Sequence, residues 1–247
     1  MSVIPYNTDT ISNEIHTEWA GKTVHFAKEI DSTNEWCKRL SKEDAVHGTL
    51  AVAEFQSAGK GRLGRRWVVP EGNSIMMSIL LRPDFEPRFA SMLTLVMGLS
   101  VAQAVKELGV DVSIKWPNDV VVSRKKICGI LTEMGLEDGK IREVVIGVGI
   151  NVNLAEIQEE LKDKATYLET GKTYDRNFLI GLVMGKFEKN YEKFVQTCDL
   201  SLMIDDYNMM LANKCQPVRI LDKLDPYEGV ALGIDREGEL LVRVADG

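Results

Sequence analysis

Three consecutive stretches decide how this chain folds: Thr49-Leu-Ala-Val-Ala-Glu-Phe55, then Gln56-Ser-Ala-Gly-Lys-Gly-Arg-Leu-Gly-Arg-Arg-Trp67, then Ile75-Met-Met-Ser-Ile-Leu-Leu81. The outer two are short apolar runs bounded by polar and glycine-rich segments, the pattern of buried strands. The middle one interrupts them with glycines at 59, 61 and 64, which let a backbone bend tightly and approach a neighbour closely. Between the glycines stand Lys60, Arg62, Arg65 and Arg66. A cationic, glycine-rich loop set between two core strands reads as an anion-binding element. The planar forks of its arginines suit carboxylate and phosphate oxygens. Its spacing is not the GxxxxGK[ST] of a P-loop, and Trp67 at its end can stack on a purine.

Working outward, Thr23–Ile30 alternates like a strand, and Ser32 followed by Glu35 fits a capping box that opens a helix to about Lys42. A short helix is expected around Ile11–Trp19. Downstream, Pro87 opens a long helix ending near Gly109. Its uncharged part, Phe89–Val105, is short for a membrane span and contains polar residues, so a buried helix is expected. Val112–Trp116 and Val120–Ser123 read as strands broken at Pro117-Asn118, and Ile127–Leu136 with Ile141–Val152 reads as a hairpin. Helical periodicity runs from Asp175 through Val195 and again over Leu200–Leu211. Three short strands follow, at Val218–Leu221, Gly229–Ile234 and Leu240–Val244. The fold class is therefore α+β: a mixed β-sheet domain backed by helices, followed by a small β module. The expected divisions are an N-terminal extension (1–22), a main domain (23–214) and the small module (215–247).

The 247 residues carry a net charge of −7, which argues against a general nucleic-acid binder. Cys37, Cys128, Cys198 and Cys215 are scattered without a CxxC pair, and the N-terminus lacks a basic-then-apolar leader, so a reduced, cytoplasmic protein is expected. His16, His25 and His47 have no metal-ligand spacing, and no metal site is expected.

Two further segments carry chemistry. In Lys115-Trp-Pro-Asn-Asp119, Pro117 ends a ladder and lets Asn118 and Asp119 turn toward a ligand or its metal; Lys126, opening an apolar strand, must have a partner or reach solvent, a ligand anion being one such partner and a surface carboxylate another. In Gly147-Val-Gly-Ile-Asn151, strand glycines mark either close approach or a bulge. No serine or cysteine is evidently coupled to a histidine, so nucleophilic catalysis by the chain itself is not indicated.

Taken together, Ser32-Thr-Asn34, the Gln56–Trp67 loop, Lys115–Asp119, Lys126 with Gly129, and Gly147–Asn151 resemble the biotin–protein ligases in order and spacing, over roughly residues 23–245. The resemblance implies an SH3-like barrel for the last module, and ATP-dependent attachment of biotin to a lysine through biotinyl-5′-AMP. It implies that Ser32, Thr33, Asn34 and Gln56 bind biotin, with Gly129 and Gly147 beside them. Lys60, Arg62 and Lys126 should hold its carboxylate and the ATP α-phosphate, with Gly59 and Gly61 also binding biotin and Arg62 and Lys126 being catalytic. Arg62, Arg65, Trp67, Asn118, Lys126 and Asn151 should serve the nucleotide. ATP with Mg²⁺ and biotin enter as substrates, with no tightly bound prosthetic group, and a biotin carboxyl carrier domain is the acceptor. Where the family loop usually reads GRGR, this one reads Gly59-Lys60-Gly61-Arg62; lysine keeps the charge and lacks the fork.

The competing readings are a lipoate or octanoate ligase, a ligand-responsive DNA-binding repressor, and a non-catalytic binding module. About 22 residues before the first core strand are too few for a winged helix. The family's module normally continues past a turn such as Ala245-Asp246-Gly247. A homodimer through an exposed strand such as Val144–Val152 is a further expectation. The sequence names no base for the acceptor lysine, Asp119 being a candidate.

Overall fold

The computed structural model describes residues 6–67, 69, 71–153, 162–168, 173–221 and 226–244. Its main sheet has seven strands: β1 (Val24–Ile30), β2 (Thr49–Gln56), β3 (Ser74–Leu81), β4 (Ser113–Lys115), β5 (Asp119–Val122), β6 (Lys125–Glu137) and β7 (Lys140–Asn151), in the order β1-β2-β3-β7-β6-β5-β4. Only β1 and β2 run parallel, joined through α2 (Thr33–Lys42); every other pair is antiparallel, so the sheet is mixed as expected.

Period-two alternation divides the core between the two faces. Ala51, Leu80 and Val145 meet α2 through Cys37, whereas Leu50, Val52, Ile79, Val144 and Ile146 join the larger cluster on the opposite face. There the sheet is covered by α1 (Thr8–Glu14), α3 (Leu93–Glu107), α4 (Arg176–Thr197) and α5 (Ile204–Met210). The Pro87–Glu107 segment is long and apolar enough to cross a membrane, but it is packed inside this core, with Leu93, Val96, Met97 and Leu99 buried. It begins as a 3₁₀ turn over Pro87–Met92, and Gly109 follows its end at φ +82°. The β6–β7 hairpin closes on Asp138 and Gly139, both at positive φ, a two-residue turn whose twist matches the strands.

Three local expectations are corrected. The first helix covers Thr8–Glu14, not Ile11–Trp19: Asn7 and Thr10 form its capping box, and the Glu188 carboxylate accepts from the backbone N–H groups of Glu18, Trp19 and Ala20, drawing them out of any helical ladder. Neither half of the capping box forms on α2: the Ser32 side chain makes no cap, and the Ser32 N–H donates to Asp31 Oδ1 while Glu35 pairs with Lys38 and Lys60. Val144–Val152 is not an exposed strand; β7 lies between β3 and β6, paired on both sides.

The last three strands, β8 (Pro217–Ile220), β9 (Tyr227–Ile234) and β10 (Leu240–Arg243), make an open antiparallel sheet in the order β10-β9-β8. It docks on the main body: Trp116 Nε1 donates to Gly238 O at 2.9 Å, and Leu200 N to Arg236 O at 2.8 Å. The turn at residues 245–247 lies outside the described residues.

Two glycines of α4 provide a matched test of this packing. A Cβ on Gly181 would collide with the Glu14 backbone oxygen, whereas Gly185 faces open space. Gly181→Ala should lose about 1–3 kcal/mol by forcing α1 off α4. Gly185→Ala should gain about 0.5–1 kcal/mol from helix propensity. Urea unfolding of both variants checks the pair, and equal effects would refute the assignment.

Candidate active site

The cleft forms where β1 and β2 end side by side. Ile30 pairs with Gln56. The chain then turns at Asp31, held by a two-pronged contact from Arg39, and enters α2 through Ser32, Thr33 and Asn34, all buried. That pair keeps the Asp31 carboxyl low, at about 2, chiefly through the Arg39 hydrogen bonds. Buried polar groups need partners, and the side chains of Thr33 and Asn34 have them. Gln56 Oε1 accepts from Thr33 N at 2.7 Å and Thr33 Oγ1 at 3.0 Å. The Ser78 hydroxyl lies 2.7 Å from Thr33 Oγ1 and 2.6 Å from Asn34 Oδ1. Asn34 Nδ2 donates to Leu131 O at 3.3 Å and to Glu133 Oε2 at 2.7 Å.

The glycine-rich loop is a small hairpin over this floor. Trp67 N donates to Gly59 O and Gly61 N to Arg65 O, with Lys60 and Arg66 bridged between them. A Cβ on Gly59 would meet the Trp67 carbonyl oxygen, so this glycine is required by the loop's own closure. At the tip, Leu63 and Gly64 take positive φ and Leu63 is 88% exposed.

Three cations at the cleft have polar partners. Arg62 Nη1 donates to Asn118 Oδ1 at 2.7 Å, and Asn118 Nδ2 to Ile130 O at 3.1 Å. Lys126 Nζ lies 2.6 Å from Asp119 Oδ1 and 5.6 Å from the Trp67 ring centre. Lys60 Nζ is 2.7 Å from Glu35 Oε1. The Trp67 indole lies across Gly129 and Gly149, which pair in the sheet; a Cβ on Gly149 would come 2.5 Å from Trp67 Cε2. Gly147 makes the same kind of room for the Asn34 amide.

The resulting cleft, about 450 Å³ including its open mouth, brings together Ser32, Thr33, Asn34, Gln56, Lys60, Gly61, Arg62, Trp67, Asn118, Lys126, Gly129 and Gly147. Gly59, Arg65 and Asn151 are not on its wall. Arg65 is exposed, and Asn151 is buried with its amide donating to Thr166 O at 3.0 Å. The sequence reading missed Met77, Ile130, Leu131 and Val148 as the cleft's apolar lining, and Ser78 beneath it. Ser78 had a signal: it is a lone hydroxyl inside an apolar strand, with 0% exposure. No group of three or more His, Cys, Asp or Glu side chains suited to a metal occurs among the described residues. The cleft thus has a hydroxyl- and amide-rich end, an apolar middle and a cationic end, which suits an elongated ligand with a hydrogen-bonding head and an anionic tail.

The model of the biotin/lipoate A/B protein ligase family matches residues 26–151. The bifunctional ligase/repressor BirA of Bacillus spizizenii is 38% identical over 240 residues, covering 94% of this chain and 73% of the relative. The chain belongs to the biotin/lipoate A/B protein ligase family. Biotin protein ligase from Aquifex aeolicus in complex with biotin and ATP superposes with a TM-score of 0.80 at 36% identity, covering 92% of this chain and 94% of that one. The ligase from Leishmania major in complex with biotinyl-5-AMP superposes with a TM-score of 0.60 at 25% identity, covering 91% and 96%. The family members' sheet and helices match those described above, and the matched residues 26–151 contain every residue of the cleft wall.

Gly149→Ala should push the Trp67 indole off the sheet and into solvent. A red shift in tryptophan emission with far-UV circular dichroism unchanged is the expected outcome; an unmoved emission maximum would show that the contact is slack.

Proposed function

We propose that this cleft activates biotin and passes it to a lysine: the chain is an ATP-dependent biotin–protein ligase. One observation carries the reading, namely the polarity gradient from Ser32–Asn34 and Gln56, over Met77, Leu131 and Val148, to Arg62 and Lys126. Biotin has the same order of parts: a hydrogen-bonding ring head, an aliphatic chain and a carboxylate.

A biotin carboxylate oxygen attacks the α-phosphorus of ATP, the bond to the β-phosphate oxygen breaks, and pyrophosphate leaves, giving biotinyl-5′-AMP. The ε-amine of the acceptor lysine then attacks the anhydride carbonyl, AMP departs, and an amide remains. Neither step uses a protein nucleophile, so holding two anions together and stabilising charge as it develops is the chain's contribution. In this reading Ser32, Thr33, Asn34 and Gln56, with Gly129 and Gly147, hold the ring. Arg62 and Lys126 hold the carboxylate and α-phosphate, with the Gly59–Gly61 backbone alongside. Trp67, Asn118, Arg65 and Asn151 serve the nucleotide, which enters with Mg²⁺ as substrate. A free lysine, with pKa about 10.4, must lose a proton before attack. The Asp119 carboxylate beside Lys126 is the nearest candidate to take it.

The acceptor in this reading is a biotin carboxyl carrier domain, and the protein works in the cytoplasm, in keeping with its four free cysteines. Residues 1–22, 23–214 and 215–247 act as extension, catalytic domain and accessory module, β8–β10 being part of an SH3-like barrel. Homodimers would form through β6 rather than β7, since β5 covers β6 only as far as Gly129. Met134 and Leu136 are exposed along the remainder.

Incubation with biotin, MgATP and a carrier domain should add the mass of one biotin to the carrier. A gain only with lipoate would favour lipoyl transfer, and biotin binding without pyrophosphate would reduce the chain to a binding module. Arg62→Gly should remove the tip contact to Asn118 and let free biotinyl-AMP escape faster than from the parent. An unchanged release rate would remove Arg62 from that role.

A further inference from the structure

Lys60 departs from the arginine usual in the family loop, and its ammonium pairs with Glu35, a residue that is not on the cleft wall. It shares Glu35 Oε1 with Lys38, at 2.7 and 2.9 Å. Lys38 Nζ also lies 2.7 Å from Glu133 Oε1, and Glu133 Oε2 accepts from Asn34 Nδ2 at 2.7 Å. An unbroken line of charge-assisted hydrogen bonds therefore runs Lys60–Glu35–Lys38–Glu133–Asn34. Its two cations and two carboxylates balance. The side chains of Glu35, Lys38 and Glu133 are only 27–30% exposed. An isolated surface pair would contribute little; a partly buried network is less screened and its members reinforce one another. The carboxyl of Glu35 is lowered, first by Lys60 and then by Lys38, consistent with an ionised centre.

The line joins the two ends of the cleft. Lys60 is bridged to Arg66 across the loop hairpin, so its position sets the tilt of both limbs and hence of the Arg62 tip. Asn34 is the amide that faces Gly147 on the cleft floor.

We propose that Glu35 is a positioning residue: paired with Lys60 it latches the glycine-rich loop to α2, and through Lys38 and Glu133 it couples the loop's position to the Asn34 amide. The proposal rests on the biotin-ligase reading. It assigns Lys60 to holding the loop and leaves the anionic end of biotin to Arg62 and Lys126. Biotin affinity and retention of the adenylate then depend on one shared contact, while the chemical step does not.

The test is a double-mutant cycle on the full chain with Glu35→Gln, Lys60→Met and both together. Biotin KM, kcat for adenylate formation, and release of free biotinyl-AMP without carrier are measured, with thermal midpoints as a folding check. Each single variant should raise KM and release by about five- to tenfold with kcat within about twofold, and the double variant should match the singles instead of multiplying them. Raising salt should increase release more from the parent than from the double variant. Glu35→Gln with unchanged or lowered KM beside a weakened Lys60→Met would overturn the proposal, since Lys60 would then serve the ligand directly. Multiplicative effects would overturn it too. If Glu35→Gln folds poorly, Glu35→Asp, which keeps the charge but shortens its reach to Lys60, takes its place in the cycle, with the same outcomes read against Lys60→Met. Absence of biotinyl-AMP from the parent itself would instead remove the underlying reading.

Discussion

The buried hydroxyl of Ser78 is the point on which the site depends. It sits at the centre of β3 with no exposure, opposite Gly147, and meets Thr33 and Asn34 as they enter α2. A buried polar group without a partner costs about 1–3 kcal/mol, so three such side chains are tolerable only as a set. Gln56 takes the Thr33 donors, and Leu131 and Glu133 take the Asn34 amide. Thereby β2, β3, β6 and α2 are drawn to one place. The glycine at 147 is the other half of the arrangement, since a methyl there would occupy the position of the Asn34 oxygen.

Above this floor, charge is arranged before any ligand arrives. Lys60 faces Glu35, Arg62 faces Asn118 and Lys126 faces Asp119. Two of these partners are carboxylates and one is a neutral amide, so Arg62 is the cation of the three with no carboxylate in contact with it among the described residues. Preorganised donors need little rearrangement when negative charge develops between them, which is how such a site stabilises a transferring phosphoryl group. The apolar strip of Met77, Leu131 and Val148 keeps that charge in surroundings less polarisable than water.

Most of the fold was legible because apolar runs and their punctuation fix local structure. The strands at 49–56, 74–81 and 125–151 fall where alternation and turn residues place them, and Asp138-Gly139 makes the expected hairpin. The errors arose where a distant side chain competes for backbone or polar groups. Glu188, nearly 170 residues away in sequence, takes the N–H groups that a helix through Trp19 would have used. Glu35 looks like a capping residue in its own segment, but two lysines hold it elsewhere.

The same division governs the site. The sequence by itself determined the residue types: a cationic glycine loop, a hydroxyl-amide triplet, a lysine at the start of an apolar strand, and glycines at 147 and 149. These are local requirements of backbone freedom and charge, and they can be read along the chain. Only the tertiary structure decided which neighbours each one meets. It set Trp67 across Gly129 and Gly149, Ser78 beneath Asn34, and Lys60 against Glu35, and it left Asn151 off the cleft wall. The reason is physical: contacts between segments far apart in sequence depend on strand order and register, and no local pattern encodes those.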